Sequence, residues 1–268
     1  MTTTASNLGT ALITGASAGI GAIYADRLAA RGYNLILVAR NREKLQTLAA
    51  QISDKTGRSV EVLAADLADA ASVARVEQVL REDASITALV NNAGVGTHTT
   101  LLESDIERMD AMVQLNVTAL MRLTYAAVPG FVARGGGTVI NIASIVAVAP
   151  ELLNGVYGGT KAFVQAFTTS LNHELADKGV RAQAVLPGAT RTDFWANGGL
   201  PVEHLPEEIV MDAADMVDAA LAGLDQGETN TIPALRDAHL WTEFEVARAA
   251  LGPQLSATRS APRFQVAA

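Results

Sequence analysis

Along this chain, short unbroken apolar runs rich in Val, Ile and Leu alternate with longer segments in which apolar residues recur every three or four positions. The runs at 10–14 (TALIT), 34–39 (NLILVA), 59–64 (SVEVLA), 87–91 (TALVN), 137–143 (GTVINIA) and 180–186 (VRAQAVL) read as buried strands, with a weaker one near 229–233. Helical period marks 20–31, 41–53, 69–82, 103–133, 157–177 and 212–224. Strand and helix taking turns throughout predicts crossover units: an α/β fold with a parallel sheet covered by helices on both faces. No linker, repeat or charge block divides the pattern, so a single domain is expected over residues 1–268. The stretch from about 253 (PQLSATRSAPRFQVAA) has no clear period and reads as a loosely held tail over 253–268.

Composition narrows the functions this pattern can serve. At 268 residues, 49% hydrophobic and 18% charged, the chain can bury a substantial core. A formal charge of -8 argues against a nucleic-acid or anionic-membrane partner, because the average field would repel either. With no cysteine, disulfides, thiolate metal sites and a cysteine nucleophile are all excluded. The opening MTTTASNLGTALITG has no basic region ahead of its apolar stretch, and the longest apolar run, around 138–150, is too short to span a bilayer. A soluble cytoplasmic protein is the expectation.

The first strand runs directly into TGASAGIGAIYADRLAARG, with Gly15, Gly19 and Gly21 in the turn that opens a helix. Missing side chains there let the backbone approach a pyrophosphate, and the helix N-terminus supplies N–H donors and positive potential. A tight strand-to-helix turn with no ligand remains the plain alternative. Gly15-Ala16-Ser17-Ala18-Gly19 also fits the nucleophile elbow of hydrolases. Such an elbow needs a histidine placed after an acid, and His98, His173, His204 and His239 have no such context. A nucleotide-triphosphate loop would need Lys-Ser or Lys-Thr after the last glycine, where a lone Ile20 separates Gly19 from Gly21 and neither residue pair follows.

The spacing Thr14-Gly15-Ala16-Ser17-Ala18-Gly19-Ile20-Gly21 resembles the glycine motif of the short-chain dehydrogenase/reductase family, and further pieces follow in order along most of the chain. These are Asp66-Leu67 after the third strand, Asn91-Asn92-Ala93-Gly94 after the fourth, Asn116, Ser144, Tyr157 and Lys161, then Pro187-Gly188 and Thr192 after the sixth. The resemblance implies a single-domain Rossmann-type doubly wound sheet of about seven strands that holds a nicotinamide dinucleotide. It implies that Gly15, Ser17, Gly19, Ile20, Gly21, Asn92, Ala93 and Gly94 meet the cofactor, that Asp66 and Leu67 meet its adenine, and that Pro187, Gly188 and Thr192 meet its nicotinamide end. It further implies a homodimer or homotetramer built through the helices at 103–133 and 157–177.

The reaction implied is reversible reduction of a ketone or aldehyde to an alcohol, as in a carbonyl reductase. A phenol can deliver the proton that the carbonyl oxygen takes up. Free tyrosine has a pKa of about 10, so making Tyr157 act near pH 7 asks for about 4 kcal/mol of selective stabilisation of its anion. Lys161, four residues on along a helix, would share a face with the phenol and favour its anion together with a positively charged oxidised nicotinamide. By resemblance, Ser144 hydrogen-bonds the substrate oxygen and Asn116 holds a water that feeds the lysine, while Tyr157 and Lys161 also touch the cofactor. Read singly, each could be a surface pair, a strand-end serine or a helical asparagine serving its neighbours. A non-catalytic dinucleotide-binding sensor or interaction protein is the alternative of a different class; a pure binder has no need of a tyrosine placed for proton transfer.

Three stretches refine the reading. In LVARNREK the acid that would bind a ribose hydroxyl is replaced by Ala39, and Arg40 follows with a fork suited to phosphate, so NADP(H) is expected in preference to NAD(H). Gly158 and Gly159, between Tyr157 and Lys161, stand where the family usually carries serine or alanine, which predicts a close backbone approach, by the neighbouring long helix or its copy in a second subunit. The segment 189–210 is the expected substrate loop and lid, with Phe194, Trp195, Leu152 and Leu153 as an apolar wall, residues equally consistent with plain packing.

Overall fold

The computed structural model describes residues 8–264. Its strands are β1 (Thr10–Thr14), β2 (Asn34–Ala39), β3 (Val60–Ala64), β4 (Ile86–Asn91), β5 (Gly137–Ile142), β6 (Val180–Val185) and β7 (Asn230–Thr231). They pair in the order β3-β2-β1-β4-β5-β6-β7, every pairing parallel. Helices α1 (Gly19–Arg31), α2 (Arg42–Thr56) and α3 (Ala70–Glu82) connect the first four strands. A run of α4 (Ile106–Val113), a π-helical turn (Gln114–Ala119) and α5 (Leu120–Ala133) precedes β5, and α6 (Gly155–Glu174) precedes β6. The short α7 (Phe194–Asn197) and then α8 (Ala213–Asp225) lie between β6 and β7. This is the doubly wound, Rossmann-like architecture the alternating pattern predicts.

Continuous apolar runs became strands because both faces of a parallel sheet are covered. Every residue of β1 is buried, whereas β3, at the edge, exposes Glu61. On one face Leu37 and Ile13 pack with Tyr24, Leu28, Leu45, Met216 and Leu221 of α1, α2 and α8. On the other, Leu12, Val38 and Leu89 pack with Val76, Leu80, Leu123, Phe131 and Leu171 of α3, α5 and α6. The last strand is shorter than the 229–233 run suggests, because Pro233 has no N–H to offer a ladder.

The helix expected over 103–133 is interrupted. Asp105 caps α4 by accepting from Glu107 N, leaving 101–103 as a separate 3₁₀ turn, and the π-turn widens the run at the middle. Helix α6 starts two residues before Tyr157, because the Asn154 side chain accepts from Val156 N and Tyr157 N. An Asn cap of this kind satisfies N–H groups that would otherwise be orphaned in the first turn.

The chain divides into two compact units, one ending at Pro233 and the next beginning at Ala234, where the pattern predicts one domain. The described part of the second unit holds α9 (Ala238–Leu251), a helix the pattern did not indicate, and two 3₁₀ turns within the expected tail. No residue of α9 is buried, although Leu240, Phe244, Ala247 and Leu251 recur along it at helical spacing. Residues 265–268 of the expected tail, and 1–7 of the expected domain, lie outside the described residues. Among the described residues no helix is long and apolar enough to cross a membrane.

Leu89 is fully buried on a central strand, so Leu89→Ala is expected to lower the urea-unfolding free energy by about 2–5 kcal/mol. A loss under about 1 kcal/mol would show that the sheet does not carry the core as described.

Candidate active site

The strand order turns back between β1 and β4, and in open α/β sheets ligands bind outside the carboxyl ends of strands at such a point. Here the two loops are stitched together. Thr14 Oγ1 accepts from Asn92 N (3.0 Å) and Ala93 N (3.1 Å), and Asn92 Nδ2 donates to Thr14 O (2.9 Å) and Gly15 O (3.2 Å). Gly15 and Gly19 both hold positive φ, +65° and +54°. A Cβ at Gly15 would lie 2.7 Å from Asn92 Nδ2 and 2.9 Å from Ala93 Cα, and one at Gly21 would collide with the Gly15 carbonyl. The glycines are therefore demanded by the crossing of two loops as well as by any ligand. Ala18 leads into α1 with no side-chain cap and no acid follows in the first turn, so the N–H groups and positive end of that helix are open to an anion.

Around this turn lie the other residues expected on the dinucleotide side. Ser17 and Ile20 are half-buried beside the glycines, and Thr192 comes within 3.2 Å of the position a Gly19 Cβ would take. Pro187 is buried, its carbonyl accepting from Ile145 N at 3.0 Å, and Gly188 follows. At the end of β3, Leu67 is packed into the core, whereas Asp66 is exposed and accepts from Ala68 N at 3.0 Å. Arg40, at the end of β2, is exposed and pairs with no acid among the described residues. Arg42, one step into α2, is likewise exposed and unpaired, and the sequence reading passed over it. Its signal was present: a second cation in the first turn of a helix is unfavourable unless an anion answers it.

The residues expected to be catalytic converge at the ends of β4 and β5. Lys161 Nζ, 6% exposed as a residue, donates to Ile142 O at 2.9 Å and stands 5.8 Å from the centre of the Tyr157 ring. Burial pushes its pKa down to about 8. Tyr157 is 5% exposed, and burial pushes its phenol up to about 12, against a hydrogen bond with Ser144 that pulls it the other way. The depression expected from the lysine is not what acts on the phenol in this arrangement: burial dominates, and Ser144 alone opposes it. Ser144, just past β5, also reaches Pro187 O at 3.4 Å.

Asn116 sits in the π-turn, a distortion found often at functional sites. Its Nδ2 donates to Val95 O (2.8 Å) and Thr160 Oγ1 (3.1 Å), and its Oδ1 accepts from Val95 N (2.9 Å). Thr160 Oγ1 in turn donates to Tyr157 O at 2.8 Å. Asn116 therefore braces the loop after β4 against the catalytic turn of α6, with one Oδ1 lone pair left over. Both that oxygen and Lys161 Nζ flank Gly94, at 3.1 and 3.6 Å from where its Cβ would be.

Asn154 and Thr160 are two positioning residues that sequence reasoning missed. Besides capping α6, Asn154 donates to Thr99 O at 2.7 Å and Ser104 Oγ at 3.2 Å, tying the catalytic helix to the 97–104 loop. An Asn just before a helix was the available signal, obscured because the glycines made the start look later. Of those glycines, only Gly158 is crowded: its Cβ would sit 3.2 Å from Pro150, in the 3₁₀ turn Pro150–Leu152 and not in the long helix expected, while Gly159 faces open space.

Over the phenol lies the 189–210 segment. Phe194 packs against Tyr157 with ring centres 5.8 Å apart, Trp195 meets Phe194 edge-on at 5.9 Å, and Trp195 Nε1 donates to Thr190 O. With Leu153, Leu200, Gly96 and His98 these aromatics enclose a small cavity, so three of the four expected wall residues line it; Leu152 is 57% exposed and does not. His98 Nδ1 is 3.0 Å from Gly198 O, and His204 lies elsewhere on the loop.

A family model described as short chain dehydrogenase matches residues 9–199. A solved short-chain dehydrogenase from Sphingobium yanoikuyae in complex with NADPH is 46% identical, with a TM-score of 0.93 over 96% of this chain and 100% of that one. A bulky-bulky ketone specific alcohol dehydrogenase from Comamonas testosteroni is 44% identical, with a TM-score of 0.89 over 97% of this chain and 99% of that one. An uncharacterized oxidoreductase of Staphylococcus epidermidis is 30% identical over 75% of this chain and 88% of its own length.

Because the Lys161 pKa falls from 10.5 unfolded to about 8 folded, the unfolded chain binds more protons between those values and stability rises with pH across that window. Measured by urea unfolding of the free protein from pH 7 to 10, the wild type is expected to gain up to about 3 kcal/mol on Lys161→Met. A difference between the two that stays constant with pH would contradict a buried ammonium.

Proposed function

The chain belongs to the short-chain dehydrogenase family, and we propose that it is an NADP(H)-dependent oxidoreductase interconverting a bulky, uncharged ketone and its alcohol, with Tyr157 as general acid and base. The observation that carries this reading is the convergence of a buried phenol, a buried ammonium and a strand-end hydroxyl beside the stitched glycine turn. A sensor that only bound a dinucleotide would have no use for that convergence.

The residues present fit the cofactor. A cradle that Cβ atoms would fill at Gly15 and Gly21, and the uncapped N-terminus of α1, suit a pyrophosphate. Arg40 and Arg42, both without acidic partners among the described residues, suit the extra phosphate of NADP(H), and no carboxylate stands at the end of β2 to repel it. When bound, the dinucleotide supplies or accepts the hydride at the carbonyl carbon.

The chain's own side chains handle the proton. Tyr157 O–H gives it to the carbonyl oxygen in reduction, and Ser144 donates a hydrogen bond to the same oxygen. Moving Phe194 aside wets the phenol and lets its pKa fall from about 12, and positive charge within 4–6 Å lowers it further. Lys161, anchored on Ile142 O, keeps two N–H bonds free. One of them reaches toward the remaining lone pair of Asn116 Oδ1 through a water, which resupplies the proton. The apolar side chains of Phe194, Trp195, Leu153 and Leu200 favour an uncharged ketone over a charged substrate, and the bulk of that ketone is inferred from the similar alcohol dehydrogenase of Comamonas.

We further infer a homodimer or homotetramer through α5 and α6, supported by Tyr125, 68% exposed and stacked on Phe167, which itself stacks on Phe163. Aromatic faces of this kind are enriched at subunit interfaces.

Absorbance loss with a panel of ketones is expected to show NADPH preferred over NADH, and Arg40→Ala to lower kcat/KM for NADPH about 10–100-fold with little change for NADH. Preference for NADH in the wild type would defeat the cofactor assignment. Tyr157→Phe is expected to cut turnover by at least about 100-fold while NADPH binding, followed by fluorescence, is retained. Retained turnover would remove the tyrosine from the mechanism.

A further inference from the structure

We propose that the notch at Gly96 is a subsite for a planar aryl group bonded directly to the substrate carbonyl, and that Phe194 fills this subsite when no substrate is bound. The proposal rests on the reading of Tyr157 as the proton donor. A carbonyl oxygen served by that phenol lies within hydrogen-bond reach of it, and the Gly96 notch adjoins Tyr157 Cε2, next to the hydroxyl-bearing carbon, so a group on the carbonyl carbon has the notch within reach.

That space is already occupied by an aromatic ring. Phe194 lies with its ring centre 5.8 Å from that of Tyr157 and tilted by 46°, a geometry favoured by aromatic pairs. The floor beneath both rings is Gly96. A Cβ there would lie 3.1 Å from Tyr157 Cε2 and 3.2 Å from Phe194 Cε1, and would collide with Phe194 Cζ. Its φ is not positive, so the backbone conformation does not call for glycine and the close approach of the two rings does. The notch is therefore sized, by the ring now in it, for a phenyl group.

Phe194 is placed to leave. It belongs to the four-residue α7, is itself half-buried, and is followed by Gly198 and by Gly199, whose φ is +90°. Leu153, Trp195 and Leu200 supply the apolar part of the wall, with Thr97 and His98 as its polar members and no carboxylate, lysine or arginine, so a ring that replaces Phe194 meets the apolar contacts that Phe194 gives up. An aryl ketone exchanges ring for ring, whereas a short alkyl ketone leaves part of the notch unfilled. Trp195, edge-on to Phe194 at 5.9 Å, changes surroundings when that ring moves.

The test uses acetophenone and 2-butanone with the full-length protein. The ratio of kcat/KM for acetophenone to that for 2-butanone is expected to fall about tenfold or more in Gly96→Ala and to rise about tenfold in Phe194→Ala. The second variant keeps the test decisive if the first does not fold. In parallel, Trp241→Phe leaves Trp195 as the one tryptophan. With NADP⁺ present to prevent reduction, its emission is expected to shift on adding acetophenone and not on adding 2-butanone. Ratios unmoved in both variants, or an emission that responds equally to both ketones, would overturn the subsite. If neither ketone is reduced by the wild type but acetophenone alone shifts the emission, the subsite stands and the proposed reaction fails.

Discussion

An ammonium group held almost out of water, with a single backbone carbonyl as its fixed protein acceptor, is the constraint around which this end of the molecule is arranged. Lys161 cannot be placed there cheaply, since burial alone depresses its pKa to about 8. The surroundings answer by fixing it and its neighbour. Ile142 O takes one proton of the ammonium, Thr160 locks the turn between Lys161 and Tyr157, and Asn116 fastens that turn to the loop after β4. Asn154 does the same from the start of α6 to the loop at 97–104. A pair of side chains four residues apart on a helix would otherwise be an ordinary surface motif.

The sheet supplies the rigid frame for this arrangement. Strands β1, β4 and β5 are packed on both faces, and their carboxyl ends deliver Thr14, Asn92 and Ser144 to one rim. Hydrogen bonds between Thr14 and Asn92 then bring the glycine turn so close to the neighbouring loop that side chains at Gly15 and Gly21 have no room. The uncapped start of α1 lies at this same crossing. Loop packing and the open helix start thus come from one short stretch of chain, which is why the motif is so compact in sequence.

Much of this could be read from residue order. Buried parallel strands announce themselves as unbroken Val, Ile and Leu runs, and all six stronger runs match their strands to within one residue at each end without any tertiary information. Asn116, Ser144, Tyr157 and Lys161 stood out because their motifs are distinctive in combination, and Arg40 because an acid was missing beside it; the fold brings the four together at one rim. What escaped depends on contacts distant in sequence. The π-turn at Asn116 has no local signature, and the crowding of Gly158 by Pro150 could not be told from crowding by a helix. Phe194 read as wall or packing, and only its position over Tyr157 shows that it covers the phenol. Helix α9 escaped for a local reason: Leu240, Phe244, Ala247 and Leu251 recur at helical spacing, but Ala238, Val246, Ala249 and Ala250 put apolar residues on its other faces and blur the stripe.

The proposed chemistry depends on a phenol whose acidity is set by what covers it. The most direct measurement is a pH titration of the ¹³Cζ resonance of Tyr157 in tyrosine-labelled protein, assigned by its disappearance in the phenylalanine variant, in the free protein and with NADP⁺ bound. The free protein should keep Tyr157 protonated above the pH of about 10 at which ordinary tyrosines ionise, and bound NADP⁺ should bring its midpoint below that value. A midpoint near 10 in the free protein, unchanged by NADP⁺, would contradict the account.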